Sequence, residues 1–220
     1  MDGAAVLFGT VKSTNDPDKL GRVQVALAGY GPELVLPWVR LVQPLASKQH
    51  GFFFLPEPGD EVAVLRGQGD HPDAMIVLGC LYNGKNKPKK PDDGKSNTKQ
   101  ILTRAGNQIT ISDESGKESI TLQVKGDKTK VILDAAAGKV TIESDKEIAL
   151  VTKNTLSITC DQRVTVSAAE ATVDAKQKAV VKAAQIEIAG NAQVAVTSKG
   201  ALKVEATGPL ELKGAMVNIG

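Results

Sequence analysis

Stepping through the chain eight residues at a time from Val124 meets Ile132, Val140, Ile148, Leu156, Val164, Thr172, Val180, Ile188, Val196, Val204 and Leu212. Eleven of these twelve positions are Val, Ile or Leu, in a stretch otherwise rich in Ala, Lys and Glu. A second apolar position lies two residues away. It follows the first at Ile142, Leu150, Ile158 and Val166, and precedes it at Ile186, Val194, Leu202 and Leu210. A spacing of two is the period of one face of a pleated strand. A helix turns about 100° per residue, so eight residues overshoot two turns by about 80° and the stripe would spiral around the helix without forming a face. Heptads, which would hold a face, are absent even from the Ala-rich stretch 168–184. The β-branched content also favours strands.

One octad offers two or three small aliphatics among many polar residues, too little to bury alone, so such strands must stack on copies of themselves. A single chain could coil into a solenoid, but eight residues supply only one short strand and a bend. Several chains wound together, each contributing one side per turn, solve this. Three chains give a triangular prism with an aliphatic core and a charged exterior. At about 4.8 Å per stacked strand, twelve octads make a needle about 60 Å long. Its backbone groups would be hydrogen-bonded between chains, which gives stiffness. The expected core of this homotrimeric needle is Val124, Ile132, Val140, Ile148, Leu156, Val164, Val180, Ile188, Val196, Val204 and Leu212. Beyond Leu212 the pattern stops at the end of the chain. Met216, Val217, Asn218, Ile219 and Gly220 are expected to form a flat apolar platform with open strand edges, a site for a partner.

The first part of the chain has a different chemistry. All seven aromatic residues (Phe8, Tyr30, Trp38, Phe52, Phe53, Phe54 and Tyr82) precede position 83, and nine of the ten prolines lie at or before Pro91. Short β-prone runs at 6–11, 22–27, 34–42, 61–65 and 75–81 are separated by turn signals such as Asn15-Asp16-Pro17-Asp18 and Pro58-Gly59-Asp60. About five short strands in about 80 residues fit a small closed barrel such as an OB-fold. The chain therefore reads as all-β, with a barrel over 1–84, an exposed Lys/Pro/Gly linker over 85–99, and the intertwined triple-stranded β-helix over 100–220.

Candidate chemistry is sparse. The 27 basic and 25 acidic residues leave a net charge of +2, which gives no nucleic-acid or membrane footprint. No apolar run is long enough to span a bilayer. The N-terminus lacks the basic-then-apolar layout of a signal peptide, which points to synthesis in the cytosol. Cys80 and Cys160 are far apart and read as reduced thiols, and His50 and His71 share no metal-ligand spacing with them. Asp60 and Glu61 are adjacent carboxylates. On a strand they face opposite ways, so they form a turn and strand start, not an acid–base pair. Trp38 is expected in the barrel core, and Phe52-Phe53-Phe54 in the core and at a trimer contact. The chain is expected to be structural, with no catalytic residue, cofactor or metal. The alternative is an OB module on a β-helical stalk, recognising nucleic acid or saccharide; an OB-fold raises that prior, but fold alone is weak evidence for function.

Several stretches then carry a resemblance. Asp18-Lys19-Leu20-Gly21-Arg22-Val23-Gln24-Val25, Pro37-Trp38-Val39-Arg40, Gly51-Phe52-Phe53-Phe54-Leu55-Pro56-Glu57-Pro58-Gly59-Asp60-Glu61-Val62 and Gly79-Cys80-Leu81-Tyr82-Asn83-Gly84 follow the order and spacing of a known OB domain. It is that of phage baseplate spike proteins of the gene V type, of the VgrG proteins of type VI secretion and of their counterparts in extracellular contractile injection particles. Thr103-Arg104-Ala105-Gly106-Asn107-Gln108-Ile109 resembles the entry to that family's needle. The resemblance implies a homotrimer at the centre of a baseplate, the OB domain on hub or tail proteins, and a small PAAR-repeat protein on the needle's end. It implies a mechanical role, with transient contact with the target membrane during puncture. It also implies assembly in the bacterial cytoplasm and residence in a virion or an extracellular phage-tail-like particle. The chain departs from some relatives in having no room for a lysozyme domain at the linker. It starts almost at the barrel, as a stand-alone spike or a shortened piece would, and its tail carries no His-x-His metal tip.

Overall fold

The computed structural model describes residues 4–31, 34–67, 74–89 and 94–218. The fold is all-β, with twelve strands and no α-helix among the described residues. It divides into two units, Met1–Val151 and Thr152–Gly220.

The first sheet is built from β1 (Ala5–Ser13), β2 (Gln24–Leu27), β3 (Arg40–Leu41), β6 (Glu61–Arg66) and β7 (Met75–Leu81) in the order β2-β1-β6-β7-β3. Its two ends meet. The segment leading into β3 pairs antiparallel with β2 through Val23↔Val39 and Ala26↔Val35, while β3 itself pairs parallel with β7. Val23 and Val39 exchange backbone bonds of 2.9 and 2.8 Å, and the Val42 amide donates to Val77 at 2.9 Å. The sheet is thereby closed into the five-stranded barrel of an OB-fold. Leu34–Val42, expected as one strand, is instead two isolated bridges and the two-residue β3. Pro37, which has no amide to donate, falls in that break. Two register irregularities, near Val11 and at Leu78, supply the bends that closure needs. Gly9 allows β1 and β2 to approach, since a Cβ there would lie 2.5 Å from Val25 Cγ1 and 2.7 Å from the Ala26 carbonyl oxygen.

The barrel core is aliphatic: Val11, Val23, Val25, Leu27, Leu36, Val39, Val62, Val64 and Val77. The aromatics lie outside it, a correction to the expected core. Trp38 is half-buried beside the buried Val39, and Phe52, Phe53 and Phe54 are exposed. The bore of a five-stranded barrel is filled by branched aliphatics, and Trp38 sits in the bend before Val39.

Before β2 the chain makes a tight loop around one carboxylate. Asp16 accepts hydrogen bonds from the amides of Asp18, Leu20 and Arg22 and from Nε and Nη2 of Arg22, at 2.7 to 3.2 Å. The guanidinium and the amides hold the Asp16 carboxyl well below the usual carboxylate range.

Beyond the barrel, β8 (Thr98–Leu102), β9 (Gln108–Ser112), β10 (Ser119–Gln123), β11 (Lys130–Asp134) and β12 (Lys139–Glu143) form an antiparallel meander in chain order. β8 starts inside the stretch expected to be linker. A separate two-stranded hairpin, β4 (Ala46–Ser47) and β5 (His50–Gly51), projects from the barrel.

From Ser144 onward the chain is extended and bent, and among the described residues it forms no backbone–backbone hydrogen bond within itself. The bends divide it into nine straight segments of six residues each: 147–152, 155–160, 163–168, 170–175, 178–183, 185–190, 193–198, 201–206 and 209–214.

Candidate functional site

The meander has two unlike faces, fixed by its register. One carries two apolar rows, Ile101–Ile109–Leu122–Val131–Ile142 and Ile111–Ile120–Leu133–Val140, the second ending on Lys99. The other carries Gln100–Thr110–Thr121–Ile132–Thr141, flanked by polar rows. Every residue of the two apolar rows except Val131 is exposed. The apolar face is hollowed by a cavity of about 600 Å³ lined by Ile101, Ile109, Leu122, Val124, Val131 and Ile142. A second hollow of about 380 Å³ involves Ile111, Ile120, Leu133 and Val140.

The expected needle-core residues do not all share one place in this pattern. Val124 lines the larger hollow and Val140 lies in the second apolar row. Ile132 does not join them, because its neighbours are Thr121 and Thr141 on the polar face. In antiparallel hairpins the face of a residue follows from turn lengths, which a fixed step of eight ignores.

In the six-residue segments the apolar side chains occupy the second and fourth positions, which share a face. Ile148, Leu156 and Val164 stand at second positions. Ile188, Val196, Val204 and Leu212 stand at fourth positions, two residues after Ile186, Val194, Leu202 and Leu210. Val180 stands at a third position, between Ala179 and Val181, and alternation turns it to the opposite face. The slip arises at the bends. Seven of them hold two residues, but Ala169, Ala184 and Ala215 are bends of one residue each. Between Val164 and Ile186 two residues are lost from the repeat, so a strict step of eight passes from the second position to the fourth. Thr172, the misfit in the octad series, is the trace of this in the sequence.

In the seven segments that hold a large aliphatic at both positions, the second-position residue is the more sheltered; Leu156 is 58% exposed and Ile158 71%. Of the expected platform, Met216 and Val217 are exposed and Asn218 precedes the last residues. Ile219 and Gly220 lie outside the described residues, as does His71.

The groups that could support chemistry are occupied or dispersed. Among the described residues no three His, Cys, Asp or Glu side chains approach closely enough to hold a metal ion. Asp60 accepts the Glu57 amide at 2.8 Å, and Glu61 accepts Asn83 Nδ2 at 2.7 Å. Cys80 and Cys160 are both free thiols, and burial pushes the Cys80 thiol up, with Asp60 adding to the shift. A groove of about 660 Å³ runs beside the barrel between Lys19, Arg40, His50 and Phe53. No helix among the described residues is long and apolar enough to cross a membrane.

Comparison with known proteins finds a family model that matches the barrel. Residues 7–82 match the family described as the type VI secretion system/phage-baseplate injector OB domain. The chain is 33% identical over 119 residues to the actin cross-linking toxin VgrG1 of Vibrio cholerae serotype O1. It is 29% identical over 133 residues to the type VI secretion system spike protein VgrG5 of Pseudomonas aeruginosa. These matches take in 50% and 56% of this chain but 11% and 17% of the relatives' own lengths.

Proposed function

With residues 7–82 being an injector OB domain of the type VI secretion and phage-baseplate family, and the chain being VgrG-like, we propose that it is the central spike of a contractile injection system. Three copies wind together from the meander onward, and the assembled needle pierces the target envelope by force, without catalysis. The OB barrels seat on the baseplate hub. The particle is put together in the bacterial cytoplasm and resides in a phage tail or a related injection particle.

The observation that carries this reading is the state of residues 144–218. Their segments present apolar pairs on one face, yet among the described residues none of their backbone groups bonds to another backbone group of the chain, and the few partners they find are side chains near the bends. A solenoid made by one chain would pair each segment with another of the same chain. Strands supplied by other copies satisfy both the apolar face and the backbone. The same copies would cover the apolar rows of the meander. Met216, Val217 and Asn218, repeated in three copies, would then offer an apolar contact for a PAAR-repeat tip. The test is light scattering on the full chain. A mass of three times 23.1 kDa is expected, and a stable monomer at micromolar concentration would sink the spike.

One feature favours a second reading, of the barrel as a binding module. The groove beside it carries Lys19, His50, Phe52 and Phe53 among its described residues. Salt-dependent binding of a single-stranded oligonucleotide, weakened by Lys19→Ala and Phe53→Ala, would support it over a purely mechanical role.

A further inference from the structure

We propose that the needle has a built-in waist at residues 170–183, where two one-residue corners and two alanines narrow it together; this rests on the reading that copies of the chain wind around a common axis.

Two independent irregularities coincide there. The first is in the corners. Asp145-Lys146, Lys153-Asn154, Asp161-Gln162, Lys176-Gln177, Asn191-Ala192, Lys199-Gly200 and Thr207-Gly208 each spend two residues on a bend, but Ala169 and Ala184 each make the bend alone. The second is in the side chains. The second position of the segments reads Ile148, Leu156, Val164, then Ala171 and Ala179, then Ile186, Val194, Leu202 and Leu210. The two alanines belong to the two segments that lie between the two short corners. The fourth position keeps a valine in both, Val173 and Val181, so the apolar seam is continuous while its bulk falls.

The coincidence has a steric cause. Every side of the prism keeps six residues, so only the corners can change its girth. A corner shortened from two residues to one draws the adjoining segments toward the axis, and a close-packed interior then has room for a methyl group where its neighbours hold a branched side chain. Alanine at the corner itself fits the same demand for little bulk. Ala215 is also a one-residue corner, but its preceding segment keeps Leu210 and Leu212, so no loss of bulk accompanies it there.

The test uses the full chain. Ala171→Val and Ala179→Val are each expected to lower the thermal midpoint of the assembled protein by ~5 °C or more through overpacking. Ala195→Val, at the outward third position of 193–198, is expected to leave it within ~1 °C. Inserting one serine after Ala169 restores a two-residue corner. It is expected to lower the midpoint alone and to recover part of the loss when combined with Ala171→Val, a non-additivity that only coupled packing produces. An unchanged or raised midpoint for Ala171→Val would overturn the waist, because it would mean spare room at the axis. If Ala171→Val fails to assemble, assembly of the combined variant supports the waist, and failure of the combined variant overturns it. The mass of the unmodified protein, measured in the same series, tells whether the assembly reading itself has failed.

Discussion

The barrel and residues 144–218 draw on the same aliphatic residues and end in opposite states. Val25 and Val62 of the barrel are fully buried, whereas Val166 of the distal region is 79% exposed. The difference does not lie in strand propensity, since both regions are extended and rich in valine. It lies in where the chain goes next. In the barrel, turns such as the one organised by Asp16 send each strand back beside an earlier one, so pairing is local to the chain. In the distal region a bend recurs every seven or eight residues, and among the described residues no segment pairs with an earlier one. β-Branched residues make a strand, but turn geometry decides who its partner is.

The contrast can be broken most forcefully with Leu156→Asp. In the proposed trimer this sets three carboxylates against each other, each costing several kcal/mol. Light scattering should show loss of the trimer while Trp38 fluorescence continues to report a folded barrel. A stable soluble trimer would show that Leu156 does not face the axis. Val181→Ser and Val180→Ser then sharpen the register. The first should cost about 2 kcal/mol per chain and the second less than about 0.5 kcal/mol, read as denaturant midpoints of the assembly. Equal costs would mean the one-residue bends do not set the faces.

On the barrel side, Val62→Ala should cost about 2 kcal/mol in chemical denaturation followed by Trp38, with no effect on the mass of the assembly. Gly9→Ala, whose methyl would meet the Ala26 carbonyl, should cost about 1 to 2 kcal/mol on the same assay. The smallest effect belongs to Asp16. Its carboxyl titrates lower in the folded barrel than the ordinary 3.8, so its contribution is complete above that value and is lost as the pH falls further below it. Asp16→Asn should remove this acid-limb dependence of barrel stability. An unchanged pH profile would show that the loop is held by other contacts.

Much of this was legible in the sequence. The all-β class, the barrel and most of its strands followed from turn residues and alternating runs, because such signals are local. The trailing apolar pairs were legible for the same reason. Ile132 lies on the other face of the meander from Val124 and Val140 because hairpin register between 98 and 143 depends on loop lengths that a constant step overrides. Val180 departs from the second-and-fourth pattern because a bend of one alanine looks like any other Ala in an Ala-rich stretch; the misfit at Thr172 was the available clue. Trp38 was expected in the barrel core and Phe52 to Phe54 in the core and at a trimer contact, whereas the narrow bore of the barrel admits valines and leaves Phe52 to Phe54 outside.

The open backbone of residues 144–218 also has a kinetic consequence. The barrel closes with bonds inside one chain, so its folding is first order and independent of dilution. A region whose hydrogen-bond partners must come from another chain orders at a rate that scales with protein concentration. Barrels that associate first would raise that concentration locally, turning a slow bimolecular search into zippering along neighbours already held together. A chain caught before that step carries nine consecutive exposed edges. Yield of native assembly on refolding is therefore expected to pass through a maximum with concentration, limited by encounter when dilute and by indiscriminate edge pairing when concentrated.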